Sequence, residues 1–231
     1  MADASLKKIL GSITGYLEIE RRMGVDCFLR EKALQRRLDL LKEIEEEVLR
    51  CEKCSLYKTR KKPVLGEGNL YAKILFLGEA PGVEEDREGK PFVGRAGKLL
   101  TQIVEALGFR REEVYITNVL KCRPPENRSP LPQEVNACFD YLQRQIEIIK
   151  PSVICALGRF ANLALSKNDL SLNQIHGKEY FYAGIKVIPT FHPAYLLRNP
   201  EEKKTAWQDF KKVIKILNPK SKTNKLLHLD F

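Results

Sequence analysis

Apolar residues come in short unbroken runs from Lys73 onward: "KILFLG", "VYITNVL", "SVICALG" and "KVIPTF". Runs of this length, with little polar alternation, mark strands buried on both faces. Helical spacing fills the intervals, over Ala96–Leu107, Pro132–Ile149, Arg159–Leu165 and Glu201–Leu217. Strand and helix in alternation predict an α/β fold, a three-layer α/β/α sandwich with a central, mostly parallel four-stranded sheet. Within it "EYFYAGIKVIP" reads as a hairpin turning at Gly184. The first fifty residues differ. Leu34, Leu38, Leu41, Ile44 and Val48 recur at spacings of three and four with charge between them, an amphipathic helix. Ser5–Met23 is a weaker version, interrupted by Gly11 and Gly15. The organisation expected is an N-terminal helical extension (1–50), a catalytic-sized domain (51–217) and a flexible basic tail (218–231).

In open α/β sheets, ligands sit beyond the carboxyl ends of the strands. Three runs end there in suggestive residues: Gly78-Glu79, Thr117-Asn118 and Phe191-His192. The fold would bring a carboxylate, an amide and an imidazole to one rim. The first of these ends opens "GEAPGVEEDREGKPFVGRAG", a tight turn with a lone carboxylate. It is neither G-x-G-x-x-G nor G-x4-G-K-[ST], and Glu79 would repel a phosphate, which argues against a nucleotide cradle.

Charge adds a partner. Forty basic residues against thirty acidic give a net charge of +10, and Lys203–Lys225 holds eight lysines against one acid. A polyanion, most simply nucleic acid, is the expected partner. Ala2–Ile13 carries two lysines inside its apolar stretch, unlike a secretory leader, and no run approaches the roughly 18 apolar residues of a membrane span. A soluble, cytoplasmic, nucleoid-associated monomer is expected. Four of the six cysteines, Cys51, Cys54, Cys122 and Cys138, follow the spacing C-x2-C-x67-C-x15-C. A C-x2-C pair can place two thiolates on one metal centre, and two more complete four ligands; zinc and iron–sulfur both remain open. Cys27 and Cys155 are left over, and Cys155 lies in an apolar run as a core residue would.

Three stretches, "GEAPGVEEDREGKPFVGRAG", "TNVLKCRPPENRSPLPQEVNAC" and "FHPAYLLRNP", together with the four cysteines, resemble the family 4 uracil-DNA glycosylases, the iron–sulfur type of thermophilic archaea and bacteria. The resemblance covers about residues 50–217. It implies a [4Fe-4S] cluster on Cys51, Cys54, Cys122 and Cys138. It also implies a reaction: uracil is flipped out of DNA, its N-glycosidic bond is hydrolysed and an abasic site remains.

Roles follow residue by residue. Phe92 would stack on the base. Asn118 would accept from uracil N3–H and donate to O4, a pattern that cytosine inverts. His192 would stabilise negative charge on the departing ring, and Glu85 would crowd C5 and so exclude thymine. Backbone N–H groups around Ala80 would contact the base. Better-known members of the superfamily carry an aspartate where this chain has Ala80, so the water must be held otherwise, by Glu79 or Asn127. Tyr195, Leu196, Leu197 and Arg198 would meet DNA, with the wedge that fills the vacated stack shared between the two leucines.

Two readings compete. A metal-stapled DNA-binding module without catalysis leaves Phe92, Asn118 and His192 unexplained. A relative that bonds covalently to uracil-DNA uses a histidine after the third cysteine, where this chain reads "CRPPENRSP". The tail "NKLLHLDF", with Asn224, Leu227, Leu229 and Phe231, resembles a degenerate sliding-clamp-binding peptide.

Overall fold

The computed structural model describes residues 25–167 and 170–217. The expectations for Ser5–Met23 and for the basic tail, its clamp-like peptide included, lie outside the described residues. The chain divides into two compact units, Met1–Lys42 and Glu43–Phe231. Helix α1 (Val25–Leu49) runs through the boundary. Its apolar stripe is used unevenly: Ile44 and Val48 are buried, whereas Leu34 and Leu38 are exposed.

The remaining elements alternate as the apolar runs predict. They are β1 (Glu67–Gly68), β2 (Ile74–Gly78), α2 (Val83–Glu88), α3 (Arg95–Ala106), β3 (Tyr115–Asn118), α4 (Pro132–Ile149) and β4 (Val153–Leu157), then α5 (Arg159–Ser166), α6 (Leu172–Ile175), β5 (Tyr180–Tyr182), β6 (Ile185–Thr190), α7 (Pro193–Leu196) and α8 (Lys203–Leu217). The strands form one sheet in the order β1-β3-β2-β4-β6-β5. Strands β3, β2, β4 and β6 are parallel to their neighbours in that series, while β1 and β5 add antiparallel edges.

The four-stranded sheet expected from the apolar runs is therefore the parallel centre of a six-stranded mixed sheet. The extra strands escape an apolar-run criterion for different reasons. Strand β5 is the first arm of the hairpin, which does turn at Gly184 (φ +80°), with Ala183 also left-handed (φ +47°). Strand β1 is two residues long and lies so close to β3 that a Cβ on Gly68 would come within 1.9 Å of the Val114 carbonyl oxygen.

Register explains the layers. Phe76 pairs with Ile116 and Cys155, and Cys155 with Ile188. This row packs in one core cluster with Leu100 and Ile103 of α3 and Phe210 and Val213 of α8. The alternate row, Leu75, Tyr115 and Ile154, faces the other way, where Gln145 of α4 donates from Nε2 to the Tyr115 hydroxyl at 3.1 Å. Helices thus cover both faces, and a parallel sheet buried on both sides has only its strand ends free for chemistry. No helix of the described residues is long and apolar enough to cross a membrane.

Candidate active site

The carboxyl ends of β2, β3 and β6 open onto a cavity of about 430 Å³, lined among others by Glu79, Ala80, Glu85, Phe92, Asn118, Asn127, Tyr195, Arg198 and His192. Most residues singled out from the sequence therefore meet in one place. The cavity is large enough for a nucleobase and small against a folded ligand such as a dinucleotide.

Close packing sets its floor. Gly78 and Asn118 are register partners, and the ladder continues beyond them as Val119 N donates to Gly78 O and Leu120 N to Glu79 O, each at 3.0 Å. A Cβ on Gly78 would lie 2.2 Å from Asn118 Oδ1 and 2.6 Å from Phe92 Cζ. Only glycine lets amide and ring approach the strand this closely. Phe92 itself is left-handed (φ +51°), and a Cβ on Gly97 would come within 1.9 Å of its carbonyl oxygen. Phe92 is both a core residue and a wall of the cavity, its ring 5.5 Å from the His192 ring with planes 29° apart.

Asn118 is 2% exposed, and its Oδ1 is a buried acceptor without a hydrogen-bond partner among the described residues. Such an atom costs free energy unless a ligand satisfies it. Its backbone carbonyl accepts from Lys121 Nζ at 2.7 Å, a buried lysine that also donates to Thr117 Oγ1 and Gln145 Oε1. Sequence reasoning missed Lys121, since nothing in "NVLKC" marks its ammonium as buried.

His192 precedes α7, and its Nδ1 accepts from Ala194 N at 3.1 Å. That bond assigns the neutral tautomer with its proton on Nε2. Burial, aided by the charge of Arg198 and opposed by Glu85, pushes the imidazole down to about 4. The ring is therefore neutral at pH 7 and keeps one N–H to donate. Burial also raises the Glu79 carboxyl to about 7.

Glu85 is held on both oxygens. Its Oε1 accepts from Val93 N (2.8 Å) and Gly94 N (2.9 Å), and its Oε2 from Gly82 N (3.1 Å). The carboxylate lines the cavity but spends its lone pairs clipping the glycine turn to the "FVG" turn.

The loop between Cys122 and Cys138 adds Pro124, Asn127 and Arg128 to the lining. Here Glu126 and Asn127 are both left-handed (φ +53° and +55°), and Arg123 Nε donates to Asn127 Oδ1 at 2.8 Å. Arg128 grips the buried Glu134 with two bonds, of 2.9 and 2.6 Å. The left-handed Asn127 lines the cavity, a placement that its local sequence does not signal.

One expectation is corrected. Leu196 is 1% exposed and belongs to the core cluster, so it is not available to DNA; Leu197 is 43% exposed. The α7 turn points the two side chains in different directions. Tyr195 stacks on Phe191, with ring centres 5.3 Å apart.

Cys51, Cys54, Cys122 and Cys138 line a single small cavity, with Tyr141 and Arg60 beside them. None is in a disulfide. Arg60 Nη1 donates to Cys122 Sγ at 3.2 Å and Lys121 N to Cys138 Sγ at 3.3 Å. Among the described residues no three His, Cys, Asp or Glu side chains converge closely enough to hold a single metal ion. Cys155 is fully buried in β4.

Comparison with known proteins gives the class first: a family model described as the Uracil DNA glycosylase superfamily matches residues 65–211. The type-4 uracil-DNA glycosylase of Archaeoglobus fulgidus is 47% identical over 194 residues, 80% of this chain and 98% of the relative. That of Sulfurisphaera tokodaii is 47% identical over 196 residues (80% and 89%), and that of Thermotoga maritima 51% over 165 residues (71% and 86%). The chain belongs to the uracil-DNA glycosylase superfamily, in its type-4 branch.

Proposed function

We propose that the chain excises uracil from DNA in base excision repair and that His192 carries the step. The base occupies the 430 Å³ cavity against Phe92. Asn118 Oδ1, an acceptor without a partner among the described residues, takes the N3–H of uracil, and the amide N–H₂ donates to O4. As the glycosidic bond breaks, charge gathers at O2, and the neutral His192 donates Nε2–H to it. The observation that carries this reading is the Ala194 N–H bond to His192 Nδ1, which leaves Nε2–H as the only donor that ring can offer. The sugar, now oxocarbenium-like, is captured by a water that ionised Glu79 orients, with Asn127 also in the lining. Backbone N–H groups at Ala80 contact the base. Glu85 acts on C5 indirectly, by fixing the two turns that narrow the pocket.

Outside the pocket, Tyr195, Leu197 and Arg198 meet the strand, Leu197 as the wedge and Arg198 on phosphate. The four thiols are proposed to hold a [4Fe-4S] cluster. A cluster takes one thiolate on each iron, which the four cysteines lining one small cavity would supply. N–H donors on two of the sulfurs suit thiolate ligands. When bound, the cluster supplies a covalent tie between the segment before the sheet and the loop that forms the cavity wall. The tail peptide with Phe231 is proposed to dock on a sliding clamp; unchanged clamp pull-down after deleting residues 222–231 would exclude this.

The test of function is release of free uracil from a single-stranded oligonucleotide with one dU. His192→Ala should slow excision by on the order of 10²–10³-fold while DNA affinity holds. Equal losses of rate and affinity would reassign His192 to DNA binding.

A further inference from the structure

Behind the strand that delivers His192 lies a buried polar cluster that none of the roles above uses. Asp209 of α8 is 2% exposed. Its Oδ2 accepts from Thr190 Oγ1 at 2.9 Å and lies 3.2 Å from His176 Nδ1, with Oδ1 at 3.4 Å from the same nitrogen. Next to His176, Gly177 (φ +67°) donates its N–H to Pro189 O at 2.7 Å and accepts from Lys212 Nζ at 2.7 Å. A Cβ on Gly177 would lie 2.2 Å from Asp209 Oδ1. The His176 ring is 5.2 Å from that of Phe191, and Thr190 O accepts from Gly158 N at 2.8 Å.

The residues gripped are consecutive. Pro189 is held through its carbonyl, Thr190 through its hydroxyl and carbonyl, and Phe191 through its ring; the next residue is His192. Burying a carboxylate is costly, and a well-packed apolar group at such a place is commonly as stable or more so. Desolvation does raise the Asp209 carboxyl, against the lowering influence of Thr190 and His176. What a fully satisfied buried network provides instead is a fixed geometry.

We propose that Asp209 and His176 are positioning residues for uracil excision, clamping Pro189–Phe191 so that His192 Nε2 meets uracil O2. The inference rests on the reading of His192 as the leaving-group donor. Asp209 holds the end of β6 against α8, and His176 closes the clamp from the segment before β5. Neither touches the base.

The experiment measures single-turnover uracil release, affinity for a non-cleavable 2′-fluoro-dU oligonucleotide, and melting temperature. Asp209→Asn, Thr190→Val and Thr190→Ser are compared with the parent, each also in a His192→Ala background. A misplaced donor costs rate rather than binding. Asp209→Asn and Thr190→Val should therefore lose on the order of 10–100-fold in rate with affinity held within about twofold. Thr190→Ser, which keeps the hydroxyl, should retain the parent rate. In the His192→Ala background the losses should vanish, because coupled residues are not additive. Losses that persist in full there would overturn the inference, as would a parent-like rate for Thr190→Val, a variant that keeps the side chain's shape. If His192→Ala itself is as fast as the parent, the reading of His192 falls and the clamp falls with it.

Discussion

Gly78→Ala tests the floor of the pocket with one methyl group. In the present packing the new Cβ would sit 2.2 Å from Asn118 Oδ1 and 2.6 Å from Phe92 Cζ, where ordinary contact begins at 3.4 Å. The amide must retreat by about 1 Å and the ring by somewhat less. Both groups line the cavity, so the room into which they would retreat is the room the base needs. Overpacking of this kind costs about 1–3 kcal/mol. At about 2–4 °C per kcal/mol for a chain of this size, melting should fall by roughly 2–12 °C. The catalytic effect is larger, because a misplacement of about 1 Å costs on the order of 10²-fold in rate. The assay is single-turnover excision from a labelled dU oligonucleotide, followed by alkaline scission of the abasic product. Binding to the non-cleavable analogue serves as the control. A Gly78→Ala enzyme that is stable and within about twofold of the parent rate would refute the claim that glycine is required here.

Other outcomes follow from the same geometry. Excision should rise with pH through about 7 as Glu79 ionises, and Glu79→Gln should flatten that limb. The sign for stability is opposite: with a folded pKa above the unfolded one, Glu79 contributes stability below pH 4–5 that is lost as pH rises through about 7, so Glu79→Gln should show a smaller fall in melting temperature over that window. Leu197→Ala should impair excision from duplex more than from single strands; Leu196→Ala should cost about 2–5 kcal/mol of stability and affect both substrates alike. Cys122→Ser should lose the brown colour and broad visible absorbance of an iron–sulfur protein, and lose excision with it; a colourless parent containing zinc would refute the cluster.

The parallel strands and the convergence of Glu79, Asn118 and His192 were legible because a sheet buried on both sides leaves a periodic signature and a fixed rule for where its ligands bind. Strand β1 was not, because two residues have no period. The wedge could not be divided between Leu196 and Leu197, since neighbouring leucines on a four-residue helix differ only in which way the turn points them. Glu85 does line the cavity, but the three backbone N–H groups that hold it converge only in the tertiary structure. The Asp209–His176 contact joins residues 33 positions apart and had no local trace.

The Glu85 clip has a consequence for what the enzyme ignores. A glycine turn at a strand end, with amides pointing outward, ordinarily attracts inorganic phosphate and the phosphates of free nucleotides. Here Gly82, Val93 and Gly94 already donate to a carboxylate of the chain's own. The amides that could cradle a foreign oxyanion are taken by the side chain of Glu85. Phosphate should therefore inhibit excision no more than any salt of equal ionic strength.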